Sequence, residues 1–366
     1  MKSSSGSHFI ALDHVRALAA LIVFTWHFLH GIDGSPIPFD YVPALLPFAI
    51  LDEGHTGVAL FMTLSGYLFA RLLDGKRIAF RWFLWNRAVR LLPLLLLVIV
   101  IVGVRKYLAG EDMAFYAETI ARGVYLPSLP NGGWSIAVEF HFYLILPLLL
   151  WLLRRSRFLP LLLVAAAVAL RIVLHARNGE VQSDAYWTLV GRIDQFVLGM
   201  LAFHFRALIA HRHWLALAVF AAFSAFYWAF DRQGGFFLNP SYPSPSPVWI
   251  VLPLVEGACY GLLIAWYENS FRFTAGPVSR FIARIGDYSY AMYLLHFFFV
   301  FEAARFVTRH IADLSNFYLA CLWAVVAFLC MLPVCHLSFR FLESPFLRLR
   351  KPYLIAGAPA GPQQRL

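Results

Sequence analysis

The chain has 366 residues, of which 61% are hydrophobic and 14% charged, with a formal net charge of +10. Soluble domains carry about 45–50% apolar and roughly 25% charged residues, so the composition excludes an ordinary soluble fold and predicts an all-α, multi-pass integral membrane protein. The basic residues stand between apolar runs, with no Lys/Arg tract interleaved with aromatics, which points away from nucleic acid and towards the membrane or an anionic ligand.

A helix needs about 20 mostly apolar residues to cross the hydrocarbon core. In chain order the candidate spans are 12–29, 56–73, 89–104, 134–153, 158–174, 186–205, 214–230, 248–267, 285–306 and 317–341. About ten spans in a single bundle are therefore expected, the sixth carrying Arg192 and Asp194 within it. Lys2 followed by an apolar run resembles a signal peptide. Asp13 and Arg16 interrupt that pattern, however, and no small-residue cleavage site follows His27, so the first run reads as a retained span. Residues 43–51 read as a short interfacial or re-entrant piece, and 113–125 as an amphipathic surface helix. Residues 231–247 read as a loop, with Gly234, Gly235 and four prolines after Asn239. The four cysteines lie in apolar stretches without CxxC or zinc-finger spacing, so neither a disulfide nor a metal site is expected.

Loop charge sets the orientation. Loop 31–55 holds Asp33, Asp40, Asp52 and Glu53 and no Lys or Arg, while most of the 30 basic residues fall in the segments of the opposite side. Arg171 is counted among the few outer ones. Both termini are then cytoplasmic, with a transmembrane domain over 1–343 and a short basic tail over 344–366. Just before that tail, Glu343 reads as a local ion-pair partner for Arg340, Arg348 and Arg350.

Ionisable groups within spans are costly and mark function by default. Arg16 and His27 are eleven residues apart, which at about 100° per residue puts them on one helix face, separated by about 16 Å of rise. Taken singly, Arg16 also reads as an interfacial cation and His27 as a hydrogen-bonded bundle histidine. Together they place a cation near the cytoplasmic surface and an imidazole beyond the midplane, roughly the reach of a pantetheine arm. Arg87 and Arg90, at i,i+3, share a face at the start of the third span, just after Arg81.

Leu12-Asp13-His14-Val15-Arg16-Ala17-Leu18 through Trp26-His27 resembles the opening of the membrane acyltransferase-3 family, with its Arg, ten residues, then His. Further similarity follows in the same order. It lies in Gly57 to Ser65-Gly66-Tyr67, in Arg81 to Pro93, and in Trp134-Ser135-Ile136-Ala137-Val138-Glu139 with Phe142-Tyr143. It continues in Gly286-Asp287-Tyr288-Ser289-Tyr290 to His296, and in Glu343-Ser344-Pro345-Phe346. His14, Ala17, Ala59 and His141 depart from the usual residues and leave the Arg–His pair intact.

The resemblance implies a bacterial inner-membrane O-acyltransferase that takes an acyl group, usually acetyl from acetyl-CoA, to a hydroxyl of a glycan or lipid-linked saccharide. Under it, Arg16, Arg81, Arg87 and Arg90 hold the CoA phosphates. His27 acts as base or nucleophile, with Glu139 at a similar depth to orient it or to bind sugar. Trp134, Ser135, Tyr143, Arg192, Asp194 and His296 are expected at the acceptor, with His296 one candidate partner for Arg192 or Asp194. Anchoring, helix capping and bundle pairing remain the structural alternatives for these residues, as close helix packing does for Ser65-Gly66. Tyr41 and Trp249 are expected to offer rings to a sugar from the outer loops. Two other functions fit the composition: a transporter or flippase, and an acyltransferase of a small cytoplasmic metabolite.

Overall fold

The first apolar run forms α1, Ile10–Leu29, with Leu12, Ala19, Phe24 and Phe28 buried. This is a computed structural model describing residues 9–31, 35–273 and 276–355. Lys2, Asp33, the tail residues 356–366 and Arg365 with them lie outside the described residues. The remaining principal helices are α2 (Thr56–Leu73), α3 (Phe80–Leu108), α4 (Met113–Arg122), α5 (Trp134–Arg155), α6 (Leu161–Asn178), α7 (Gln182–Trp187) and α8 (Leu189–His204). They continue with α9 (His213–Asp231), α10 (Val248–Ser270), α11 (Pro277–Asp287), α12 (Ser289–Leu295), α13 (Val300–His310) and α14 (Phe317–Ser338). Among the described residues, eight helices are long and apolar enough to cross a membrane, and a bent pair formed by α12 and α13 makes a ninth. The expected sixth span is represented by α8, whose 16 residues rise only about 24 Å.

Three expected spans come out differently. The third begins nine residues earlier, so Arg87 and Arg90 lie two turns or more inside α3, and only Arg81 is in its first turn. The sixth is broken at Thr188, whose extended backbone separates α7 from α8 while its hydroxyl caps α8 by accepting from the Val190 N–H. The ninth is bent by 59° after Phe298. There the His296 ring bonds the carbonyls of Tyr293 (2.6 Å) and Met292 (3.2 Å) as the chain passes through a 3-10 turn. Side chains that compete for helix carbonyls in this way are a recognised source of kinks.

Helices α2 and α8 pack almost backbone to backbone. A Cβ on Gly66 would lie 1.9 Å from the Phe196 carbonyl oxygen, and one on Gly199 would lie 2.0 Å from that of Thr63. Small residues are what allow such contact between membrane helices. Gly286 does the same for α11 against α1, where a Cβ would meet the Asp13 carbonyl at 2.0 Å. His14 ties α1 to α10 and α11 through Tyr267 OH (3.0 Å) and Ser279 O (2.9 Å).

A two-residue antiparallel ribbon, β1 (Arg77–Ile78) with β2 (Leu354–Ile355), is the described exception to the helical fold. The ribbon and the Arg71 guanidinium, 3.9 Å over the Phe9 ring, put both described ends of the chain at one end of the bundle. That end carries Arg71, Lys76, Arg77, Arg81 and Arg350, and is called the basic end below. The opposite, loop end carries Asp40, Asp52 and Glu53. There Leu46–Phe48 and Ala49–Asp52 form the short piece expected near 43–51.

Candidate active site

Along α2 from Val58 to Phe69, a run of about 16 Å by helical rise, side chains line a cavity of about 110 Å³ that leads towards the basic end. Arg16 of α1, Arg87 and Arg90 of α3, and Ser135, Glu139 and Tyr143 of α5 complete its polar wall, with Ser65 of α2. Glu139 accepts from Tyr143 and, at 3.4 Å, from Ser65. Arg16 pairs with Asp13 one turn earlier. Arg87 is buried, its guanidinium 5.4 and 5.6 Å from the Phe69 and Phe83 rings, and its Nε has no hydrogen-bond partner. Arg16 and Arg87 are both within electrostatic reach of Arg90. A concentration of guanidinium groups with open donors is a phosphate-binding chemistry. Arg81 is exposed, with its guanidinium over Trp82, and stays outside this cavity.

Towards the loop end lies a second cavity of about 180 Å³, lined by His27, His55, Trp26, Trp134, Tyr186 and Trp187 among others. Val58 and Tyr293 line both cavities and form the partition between them. Tyr293 is held by donating to the Gly132 carbonyl at 3.1 Å, as is Ser135 at 3.0 Å, so Ser135 both turns the start of α5 and faces the inner cavity.

His27 Nδ1 lies 2.9 Å from the Val23 carbonyl and 3.4 Å from Nε2 of His296. A carbonyl can only accept, so Nδ1 carries the proton and Nε2 keeps its lone pair. The same reasoning puts the proton of His296 on Nδ1, against the carbonyls of Tyr293 and Met292. His296 is therefore an acceptor towards His27, from the 3-10 turn that precedes the bend after Phe298. The Trp26 and Phe297 rings flank the His27 ring edge to face at 4.8 and 4.7 Å.

Several expectations are corrected by these placements. His296 partners His27, while Arg192 and Asp194 find other groups. Asp194 forms a fully buried pair with Arg171 (2.6 and 3.2 Å), which sits inside α6 and is not an extramembrane residue. Arg192 donates to the Tyr186 carbonyl at 2.8 Å, lies 4.3 Å over the Tyr186 ring, and is 3.8 Å from Glu256. Glu256 is itself saturated by Thr56, Tyr227 and Gln195 at 2.7–2.8 Å. These two acceptor candidates are thus held in bundle pairing, although Arg192 supports two rings of the outer cavity, Tyr186 and Trp134. Glu139 and His27 line different cavities, so the carboxylate does not orient the imidazole through a direct bond. Glu343 is buried with one oxygen unpartnered, in place of the expected surface ion pairing. Trp249 is only 1% exposed and Tyr41 stacks on Phe317. Rings that do line the outer cavity include Trp26, Trp134, Tyr186 and Trp187.

Besides Tyr186 and Trp187, His55 and Tyr293 of the site were absent from the expected set. His55, assigned to an outer loop, turns inward at the start of α2 and is 1% exposed. Tyr293 follows the Gly286-Asp287-Tyr288 motif by five residues. Beside the outer cavity, burial pushes the Glu53 carboxyl up to about 8, and the neighbouring Asp52 adds to the shift. Burial likewise holds His55 down at about 3, so both are neutral near pH 7. Among the described residues no group of three His, Cys, Asp or Glu is arranged to hold a metal ion.

A family model described as an acyltransferase domain matches residues 9–340. A protein of Komagataeibacter xylinus named as a membrane-bound transacylase, BcsY, is 29% identical over 271 residues, 67% of this chain and 66% of that protein. The peptidoglycan O-acetyltransferase OatA of Listeria monocytogenes is 23% identical over 385 residues, 92% of this chain and 55% of that protein. The chain thus spans about two thirds and about half the length of these relatives. No solved structure matches it.

Proposed function

The chain belongs to the acyltransferase-3 family, and from that premise we propose that it is a membrane O-acyltransferase moving an acyl group, acetyl in the simplest case, from acyl-CoA to a glycan hydroxyl. The observation that carries this reading is the pair of adjoining cavities, one rich in guanidinium and the other holding a His27 nitrogen with a free lone pair. We place the basic end in the cytoplasm of a bacterial inner membrane, with about ten spans and both termini inside, following the bias of the Lys and Arg residues. Acyl-CoA then binds in the inner cavity, its phosphates against Arg87 and Arg90, with the thioester directed past Val58 and Tyr293 towards His27. Residues 1–343 form the acyltransferase domain.

In the outer cavity Trp26, Trp134 and Trp187 offer faces to a sugar, as aromatic rings do when one side of a ligand is apolar. His27 Nε2 removes the proton from the acceptor hydroxyl as its oxygen attacks the thioester carbonyl. The new ester C–O bond forms, the C–S bond breaks, and the departing thiolate takes the proton from His27. In a two-step version the same nitrogen attacks first, and a burst of free CoA without acceptor would reveal it. OatA, as a peptidoglycan O-acetyltransferase, supports a glycan acceptor. A transporter would need a continuous polar path, and the apolar Val58 side chain where the two cavities adjoin argues against one.

The test uses purified protein in sealed vesicles, loaded with labelled acetyl-CoA on the side of the basic end and given an impermeant glycan on the other. Label on the glycan supports the reading. Transfer only when both substrates share the basic-end compartment would favour a cytoplasmic metabolite as acceptor. Absence of both transfer and thioester hydrolysis, with glycan movement instead, would favour the transporter.

A further inference from the structure

At the basic end, the last described segment is fastened to the beginning of α3. Asn86, fully buried, exchanges two hydrogen bonds with the Lys351 backbone, at 2.7 and 2.8 Å. Trp85 donates to the Leu349 carbonyl at 2.9 Å, and the Ala79 N–H to the Tyr353 carbonyl at 2.8 Å. Tyr353 is 1% exposed against Phe83, and the β1–β2 ribbon closes the attachment. A solvated basic tail would need none of this. The backbone on either side of Arg350 is fixed to Trp85 and Asn86, the residues directly before Arg87.

The unpartnered polar atoms of this region are mostly donors. Among the described residues, Arg350 buries Nε and Nη2 without partners, Arg87 buries Nε and Tyr353 its hydroxyl, while Glu343 Oε1 and the Ser338 hydroxyl are also left open. Arg350 is within electrostatic reach of both Arg87 and Arg90. Glu343 is within reach of Arg90. Burial, with repulsion from Arg90 and Arg87, lowers the Arg350 guanidinium to about 10. Buried donors left open beside like charges are costly unless an anion completes them.

We infer that residues 349–355 are a wall of a phosphate-binding site in which Arg350 joins Arg87 and Arg90. The inference rests on the donor reading above only for the identity of the ligand, a phosphate-bearing thioester such as acyl-CoA. Arg350 and the segment that presents it lie beyond residue 340, where the family match ends.

The full chain in lipid nanodiscs is titrated with CoA and, separately, with inorganic pyrophosphate. Arg350→Ala should weaken CoA binding by about 10-fold or more, the loss expected of a charge-assisted contact, while Arg348→Ala at the exposed neighbour stays within about 2-fold. Hydrogen exchange of the unmutated protein provides a second measurement that does not depend on a variant folding: CoA should protect the amides of residues 349–355. Equal CoA affinity in wild type and Arg350→Ala, or binding without protection of 349–355, overturns the inference and leaves the donor reading standing. Pyrophosphate binding that depends on Arg350, in a protein indifferent to CoA, keeps the inference and sinks the donor reading. Binding of neither probe by wild type removes both.

Discussion

Two groups of buried arginines lie in this bundle, and they differ in whether a carboxylate of the protein pairs with them. In the α6–α8–α10 region Arg171 is closed by Asp194 and two carbonyls, and Arg192 is held by a carbonyl, Gln195 and the Glu256 carboxylate nearby, with only its Nη2 left open. At the basic end Arg87 and Arg350 keep open donors, and Arg90 faces a cavity. Both groups satisfy the same sequence criterion, an ionisable residue in an apolar run. The first pairs its charge with carboxylates on neighbouring helices, while the second has no ion-pair partner among the described residues.

The largest expected effect lies outside both groups and calibrates them. His27→Ala should lower transfer by about 10²–10⁴-fold, the range for a positioned base, while membrane level and thermal midpoint hold. Near-normal turnover would remove His27 from the chemistry. Arg171→Ala should cost about 3–5 kcal/mol in stability by stranding the Asp194 carboxylate, read as loss of folded protein in a detergent melt. If Arg171→Ala melts like wild type, the distinction between the two groups fails. Arg87→Ala should do the reverse, leaving the melt almost unchanged and raising KM for acetyl-CoA by about 10-fold with kcat little affected. A large drop in melting temperature, with KM intact, would move Arg87 into the first group.

The smallest effect is a pH dependence at the loop end. The Glu53 carboxyl is raised from 4.5 to about 8 by burial, so between those values the folded state holds a proton that the unfolded state has released. Stability from this group is complete below about 4.5 and is lost as pH rises through about 8. The melting temperature should therefore fall between pH 5 and 8.5, and Glu53→Gln should flatten that fall. An unaltered slope in Glu53→Gln would assign the dependence to another group.

Long apolar runs made the helices legible, because the requirement of a span for about 20 apolar residues leaves little choice. The Arg16–His27 face was legible for the same reason, since both ride on one unbroken helix. What escaped was tertiary. The bend after Phe298 arises from a ring bonded to its own helix carbonyls, and no periodicity announces it. Without that bend His296 read as a partner for Arg192 or Asp194. Glu256 and Arg171 sit in runs apolar enough to hide them, yet they decide what Arg192 and Asp194 do. Arg350 looked like tail charge because the residues that fasten it, Trp85 and Asn86, are more than 260 positions earlier.

The Val58–Tyr293 partition has an electrical meaning as well. Two wet cavities meeting inside a membrane would form a water file, and a water file conducts. Val58 and Tyr293 stand where the two cavities adjoin, and an apolar side chain there would interrupt such a file much as apolar constrictions close pores by dewetting. A neutral acyl group on a slender arm can slip across such a layer, whereas a hydrated ion must shed its shell to follow. Under the proposed function, such a partition would let acyl groups cross the bilayer without discharging the membrane.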